Sequence, residues 1–277
     1  MIQDKTQLVR DGLETAYIDG NIASEISYKP GFVSNNHREG KKVISVIESE
    51  LLKCDKFQIS VAFITLGGVT PLLQTLKELE RKGVPGEILT SNYLDFSEPL
   101  ALEKLHSLKN IKIRMYDTRS ANNGFHTKGY IFREEEIYRI IIGSSNITSA
   151  ALTTNREWNT KLVSTSQGEI TEDILREFDE LWNSEYALDY DAFYEEYKQR
   201  YDIIKTQRKI ASEGNVTSLE RYKLKPNSMQ VRFIANLKDI LENDEKRALL
   251  ISATGERGIF VTGGRNPGFT RVSEAWS

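Results

Sequence analysis

Residues 125–132 read FHTKGYIF, and residues 137–146 read IYRIIIGSSN. The short runs 131–132 and 138–142 are apolar and rich in β-branched and aromatic residues, which is typical of buried strands. The acidic stretch 133–136 between them predicts a turn. The two runs are therefore predicted to form a β-hairpin.

Four polar side chains flank this hairpin. His126 and Lys128 lie two residues apart, so an extended backbone places them on the same face. Ser144 and Asn146 share a face at the far end of the partner strand. If the hairpin pairs in register, the four side chains converge and form a site for a phosphate group.

The chemistry of phosphodiester cleavage suits these residue types. Negative charge builds up in the transition state, and Lys128 can offset it while Ser144 and Asn146 donate hydrogen bonds to the non-bridging oxygens. A neutral imidazole such as His126 can attack phosphorus and form a phosphohistidine. A second imidazole would then protonate the leaving oxygen. This scheme requires no metal ion or other cofactor.

The spacing His126-x-Lys128, followed by Gly143-Ser144-x-Asn146, resembles the signature of the phospholipase D superfamily, which includes nucleases, phospholipases and lipid synthases. The resemblance implies that His126 is the nucleophile and that Lys128 and Asn146 bind phosphate. It also implies an α/β fold, with a mixed β-sheet sandwiched by helices. In the family's bacterial nucleases a glutamate follows the asparagine of this motif by eleven residues.

The resemblance extends to Glu157, eleven residues after Asn146, which is implied to orient His126. The full family pattern also has an aspartate five residues after the lysine, where this chain has Arg133. Taken alone, Glu157 could equally be a solvated strand residue, and Lys128 a charge at a sheet edge.

The chain has three histidines and one copy of the motif. His37 lies in a polar stretch predicted as a loop, and His106 on a predicted helix as a surface or packing residue. Family members with one motif copy pair two chains, so that both catalytic histidines meet across a two-fold axis. The resemblance therefore implies a homodimer with one composite active site.

Composition predicts a globular cytoplasmic protein without a membrane span. The chain has 277 residues, 39% hydrophobic and 28% charged, and its single cysteine, Cys54, rules out an internal disulfide. No apolar run approaches the length of a membrane helix, and no signal-peptide core is present. The net charge of −3 is unusual for a nucleic-acid partner. However, acid is concentrated in 169–196, whereas basic residues are enriched around the motif: Arg114, Arg119, Lys128 and Arg133.

Apolar spacing predicts strands alternating with helices, which is typical of a layered α/β fold. The predicted helices cover 41–52, 67–81 and 99–108, and the predicted strands cover 57–64, 87–91, 111–116 and 158–164. Residues 169–212 are predicted to form two helices, which make up a helical C-terminal extension. The aromatic stripe of these helices is predicted to pack on the sheet or on a partner chain.

The last section, Leu224–Gln230 and then Ala248–Gly255, resembles the entry into a superfamily 2 DEAD/DEAH-type helicase. The phosphate-binding lysine expected next is missing from Gly255-Glu256-Arg257, which excludes an ATPase in this chain. The predicted organisation is an N-terminal arm or early helix (1–40), a phospholipase D-like nuclease domain (41–188), a helical linker (189–223) and a truncated helicase start with an aberrant tail (224–277).

The predicted function is metal-independent cleavage of nucleic acid, with DNA as substrate, in a restriction, defence or repair nuclease fused to a helicase module. His126, Lys128, Asn146 and Glu157 form the predicted catalytic set, and Lys128, Ser144 and Asn146 bind the phosphate. Two alternatives stay open. One is a phospholipid-processing enzyme of the same superfamily, and the other is a non-catalytic DNA-binding or dimerisation module of a helicase.

Overall fold

The computed structural model describes residues 5–212, 247–250, 258–263 and 270–275. The chain divides into two compact units, Met1–Ser212 and Glu213–Ser277. No helix among these residues is long and apolar enough to cross a membrane.

The first unit is built on an eight-stranded mixed sheet with the strand order β1-β7-β6-β5-β2-β3-β4-β8. The central strands β2, β3 and β4 are parallel to one another, and every other neighbouring pair is antiparallel. The strands are β1 (Gly31–Val33), β2 (Lys56–Val61), β3 (Gly86–Ser91), β4 (Ile111–Tyr116), β5 (Lys128–Glu134), β6 (Ile137–Gly143), β7 (Asn159–Thr165) and β8 (Ala187–Asp189).

Helices cover both faces of this sheet. They are α1 (Lys5–Tyr17), α2 (Val43–Leu51), α3 (Leu66–Val69), α4 (Leu73–Lys82), α5 (Pro99–His106), α6 (Thr118–Ala121), α7 (Ser149–Thr153), α8 (Glu169–Trp182) and α9 (Tyr190–Ser212). One buried cluster joins Ile47 of α2, Leu79 of α4 and Tyr197 of α9 to the sheet. A second cluster packs Phe178 and Trp182 of α8 on the opposite face. The predicted mixed sheet sandwiched by helices, with a helical C-terminal extension, is confirmed.

The predicted hairpin is present and in register, with Ile131 opposite Ile140. Its strands are longer than the apolar runs, and the turn narrows to Glu135 and Glu136, with a φ of 56° at Glu135. Charged residues next to the turn are part of the strands, because their side chains form ion pairs. Arg133 donates to Asp55 at 2.6 Å, for example.

The predicted N-terminal arm contains α1 and β1. Strand β1 pairs with β7 and extends the sheet at one edge, with Phe32 opposite Thr160. Val9 of α1 packs against Ile137 and Val163. Residues 5–33 therefore contribute to the sheet and to its packing.

The described part of the second unit is a three-stranded antiparallel sheet with the order β11-β10-β9. Its strands are β9 (Arg247–Leu250), β10 (Gly258–Gly263) and β11 (Thr270–Ala275). Residues 213–223 of the predicted helical linker lie outside the described residues, and so do residues 224–246, 251–257, 264–269 and 276–277 of the predicted helicase segment.

Candidate active site

The strand directions place all the motif residues at one edge of the sheet. The parallel strands β2, β3 and β4 end at this edge. Strand β6 also ends there, while β5 and β7 begin there, because the β2–β5, β5–β6 and β6–β7 pairs are antiparallel. Segments just before β5 and β7 and just after β6 therefore meet. In open α/β sheets, ligands bind beyond the carboxyl ends of the parallel strands.

His126 and Lys128 are in direct contact. Lys128 Nζ lies 2.7 Å from His126 Nδ1 and donates to the His126 carbonyl oxygen at 2.7 Å. Lys128 is the first residue of β5, so His126 precedes the strand. Burial lowers the pKa of His126, and the neighbouring Lys128 ammonium lowers it further. The imidazole therefore remains neutral, and able to act as a nucleophile, at pH 7.

Glu157 is buried just before β7 and accepts a short hydrogen bond from Ser144 Oγ. Its carboxylate raises the pKa of Lys128, opposing the larger effect of burial, which lowers it. The hydrogen bond of Glu157 thus goes to Ser144 and not to His126. Ser144 Oγ also accepts from the backbone N–H of Trp158 at 3.1 Å. The hydroxyl predicted to bind phosphate is consequently held in place by the predicted orienting carboxylate.

Asn146 lies after β6 and connects this loop to the end of β2. Its Oδ1 accepts from the backbone N–H of Phe63 at 3.1 Å. Within residues 5–208, no other hydrogen bond engages the Asn146 side chain, so its NH₂ group is available to a phosphate oxygen. The ring of Phe63 lies 6.3 Å from that of His126, edge to face. Phe63 therefore links Asn146 to the segment that lies beside His126.

A buried network fixes the loop that carries Ser144 and Asn146. Asn159 Oδ1 accepts from the backbone N–H of Ser145 at 3.2 Å, and its Nδ2 donates to Ser145 Oγ and to the Val33 carbonyl. Tyr130 donates to the Ser145 carbonyl at 2.8 Å. Burial raises the pKa of Tyr130, so its hydroxyl stays a donor. Sequence reasoning missed Asn159, although it lies two residues after Glu157.

The close packing of this loop also requires a glycine. A Cβ added at Gly143 would lie 2.2 Å from the Trp158 carbonyl oxygen and 2.5 Å from Asn159 Oδ1. The glycine of the motif thus allows the end of β6 to approach the start of β7.

Aromatic residues that the sequence did not single out line the other side of His126. Tyr93 lies 6.3 Å from the imidazole and stacks on Phe63. Tyr93 belongs to the loop after β3, in which Leu94 and Asp95 adopt positive φ values of 54° and 49°. Such backbone strain is concentrated at functional sites. The sequence feature that could have identified Tyr93 is the position of its loop directly after the parallel strand β3.

The other predictions near the motif have mixed outcomes. His106 is exposed on α5 and stacks on Tyr190 at 3.7 Å, which confirms it as a surface packing residue. Three of the four basic residues expected to attract a polyanion are paired with carboxylates, namely Arg114 with Asp189, Arg119 with Asp95 and Arg133 with Asp55. The expected excess of positive charge is therefore largely neutralised at those positions.

Four of the five predicted site residues thus form two contacting pairs, and the fifth contributes a side-chain amide. The pairs are His126 with Lys128 and Ser144 with Glu157, and the amide is that of Asn146. Among the described residues, no three His, Cys, Asp or Glu side chains are placed to hold a metal ion.

Comparison with known proteins gives a family match over this region. A family model described as "Cardiolipin synthase, PLD-like domain" matches residues 49–182. A search of curated protein sequences found no match. Among solved structures, NucT from Helicobacter pylori is 16% identical with a TM-score of 0.46, over 58% of this chain and 98% of that one.

Two further solved structures have similar scores. Nuc from Salmonella typhimurium, a phospholipase D family member, is 18% identical with a TM-score of 0.45, over 58% of this chain and 99% of that one. Phosphatidylserine synthase from Haemophilus influenzae is 16% identical with a TM-score of 0.47, over 68% of this chain and 46% of that one. The family match spans β2 to α8 and contains every motif residue, so residues 49–182 are similar to a phospholipase D-like domain.

Proposed function

We propose that this protein is a phosphodiesterase that cleaves nucleic acid, with DNA as its substrate, through a covalent bond between His126 and phosphorus and without a metal ion. The observation that carries the proposal is the 2.7 Å contact between Lys128 Nζ and His126 Nδ1, at an edge of the sheet where Asn146 offers an amide. A neutral nucleophile beside a cation suits attack on an anionic phosphodiester.

Substrate binding would also prepare the nucleophile. The Lys128 ammonium donates to the lone pair of Nδ1 in the free site. A bound phosphate would draw Nζ onto its non-bridging oxygens, which frees the imidazole to attack. The nitrogen–phosphorus bond forms, the bond from phosphorus to the leaving oxygen breaks, and that oxygen takes a proton from a general acid. Water then hydrolyses the phosphohistidine and restores the imidazole.

The general acid is proposed to be His126 of a second copy of the chain. Within residues 5–208, neither His37 nor His106 contacts His126, and His106 is stacked on Tyr190. A two-fold pair of chains would supply the second imidazole and make one composite site. We also propose that residues 224–277 derive from a helicase module of a longer parent protein, because of their resemblance to a helicase entry.

The test is cleavage of labelled single- and double-stranded DNA in excess EDTA. His126→Asn should abolish cleavage, whereas His37→Asn, a change at an exposed histidine, should not affect it. Acid-labile attachment of labelled phosphate to the wild-type protein would identify the phosphohistidine. Vesicles of anionic phospholipid form a parallel arm. Turnover of lipid without turnover of DNA would replace the nuclease proposal, and equal DNA cleavage by His126→Asn would overturn it.

A further inference from the structure

Two large aromatic side chains are exposed beside the candidate active site. Trp158 is 75% exposed and Phe32 is 65% exposed, and their rings meet edge to face at 5.7 Å. Phe32 lies on the edge strand β1, and Trp158 immediately precedes β7. A contiguous exposed apolar patch next to polar residues, unlike a single exposed side chain, is typical of a binding site.

The backbone of Trp158 contacts Ser144, one of the predicted phosphate-binding residues. Trp158 follows Glu157 in the chain, and its backbone N–H donates to Ser144 Oγ at 3.1 Å. The same hydroxyl donates to Glu157. A phosphate bound at the candidate site next to Ser144 would therefore have the residues of the aromatic pair nearby.

A lysine-lined groove leads away from the aromatic pair. Phe32 forms part of its wall, and the groove runs between β1, α2 and β7 with a volume of 460 Å³. Its cationic lining residues are Lys41, Lys42, Lys53 and Lys161.

The only carboxylate lining the described groove, that of Glu50, is already paired. It lies 3.4 Å from Lys161 Nζ and 3.6 Å from Arg139 Nε. Lys41 is paired as well, because its Nζ lies 2.5 Å from a carboxylate oxygen of Glu39. The positive charge of the groove therefore comes from Lys42 and Lys53, although the chain as a whole carries −3.

We propose that the substrate is single-stranded nucleic acid, with an unpaired base stacked on Trp158 and Phe32 and the adjoining backbone phosphates laid along the lysine groove. Proteins that bind single strands combine a cationic groove with aromatic faces for the bases. Within a duplex the bases already stack on one another, and only the terminal pairs keep a free face for the indole. The placement of this base next to the scissile phosphate rests on the proposed function, whereas the binding surface itself does not.

The first experiment measures binding in the His126→Asn protein, so that cleavage does not interfere. The probes are fluorescent oligothymidine and a blunt duplex of the same length. Trp158→Ala should weaken oligothymidine binding about tenfold and leave duplex binding within about twofold. Ile203→Ala, which removes a 59% exposed apolar side chain from α9, is the control and should change neither.

The second experiment tests the groove through salt dependence. The double change Lys42→Ala and Lys53→Ala should reduce the slope of log K against log salt by about 1.4 for oligothymidine, because each lost phosphate contact is worth about 0.7. Lys77→Ala with Lys109→Ala removes two exposed lysines elsewhere and should leave the slope unchanged.

The outcomes separate the two proposals. Loss of single-strand binding in Trp158→Ala, together with a wild-type protein that cleaves nothing, would support the binding surface and overturn the proposed function. Normal single-strand binding in Trp158→Ala, or an equal loss for duplex, would overturn the inference and leave the proposed function intact. Size-exclusion chromatography completes the set. Conversion of a dimer into monomers by Trp158→Ala would identify the aromatic pair as a subunit contact and also overturn the inference.

Discussion

Replacing Asn159 by alanine tests whether the active-site loop depends on a single buried amide. Asn159 is 3% exposed and makes three hydrogen bonds through its side chain. These bonds are 3.2 Å from the Ser145 N–H, 3.0 Å to Ser145 Oγ and 3.1 Å to the Val33 carbonyl. They connect the loop after β6 to the edge strand β1.

The magnitude follows from the number of bonds. A hydrogen bond of this kind contributes about 1 kcal/mol net, and a buried partner left unpaired costs about as much or more. Asn159→Ala should therefore lower the free energy of unfolding by about 3 kcal/mol. Urea denaturation followed by circular dichroism measures this value. DNA cleavage should fall as well, because the segment that carries Ser144 and Asn146 loses its anchor.

Asn155→Ala is the matched control. Asn155 is exposed, and its hydrogen bonds use backbone atoms only, so its replacement should change stability by less than about 0.5 kcal/mol. A loss below about 1 kcal/mol in Asn159→Ala, similar to the control, would refute the reasoning. It would mean that water or a rearranged loop satisfies the abandoned groups.

Three further predictions concern the site and its surroundings. Lys128→Gln removes a cationic neighbour, so an NMR titration should show a higher pKa for His126, and an unchanged pKa would contradict this explanation. In the wild type, cleavage should be lost as the pH falls through the pKa of His126, because only the neutral imidazole can attack phosphorus. Burial raises the pKa of Cys54 to about 12, so its thiol should resist alkylation by iodoacetamide at pH 8 until the protein is unfolded. Mass spectrometry measures the alkylation, and modification of the folded protein would contradict this prediction. Gly143→Ala places a Cβ 2.2 Å from a backbone oxygen and should lower the free energy of unfolding, measured by urea denaturation, by about 1–3 kcal/mol. In the control Gly129→Ala, the added Cβ in β5 meets no atom within 4 Å and should cost less stability. An equal loss of stability in both variants would contradict the packing explanation.

The arrangement of α9 shows how the unit holds its strained loop. Arg200 of α9 donates to Asp95 at 2.9 Å, and Arg119 donates to the same carboxylate at 2.6 Å. Tyr197 donates to the Ser97 carbonyl at 2.7 Å. The loop that carries Tyr93 towards His126 is therefore fixed by contacts from a helix about a hundred residues later in the chain. Sequence patterns report no such contact, since each partner looks like an ordinary surface residue.

Local patterns were sufficient to predict the hairpin, the alternation of strands and helices, and the grouping of His126, Lys128, Ser144 and Asn146 at one edge. Hydrophobic periodicity and short spacings determine these features, because neighbours along a strand have fixed directions. Local patterns could not predict that the hydrogen-bond partner of Glu157 is Ser144. This hydrogen bond depends on how closely β7 approaches β6, and that approach depends on the absence of a side chain at Gly143.

The sequence by itself thus determined the fold class and the chemical identity of the candidate nucleophile and its cation. Only the tertiary structure decided what surrounds them: the Asn159 anchor, which reaches Val33 across 126 residues, and the pairing of Phe32 with Trp158 beside the lysine groove. The physical reason is that backbone geometry and periodicity act over a few residues. The packing of an edge strand, and the pairing or exposure of each charge, are set by contacts between distant segments, and these contacts leave no regular spacing in the sequence.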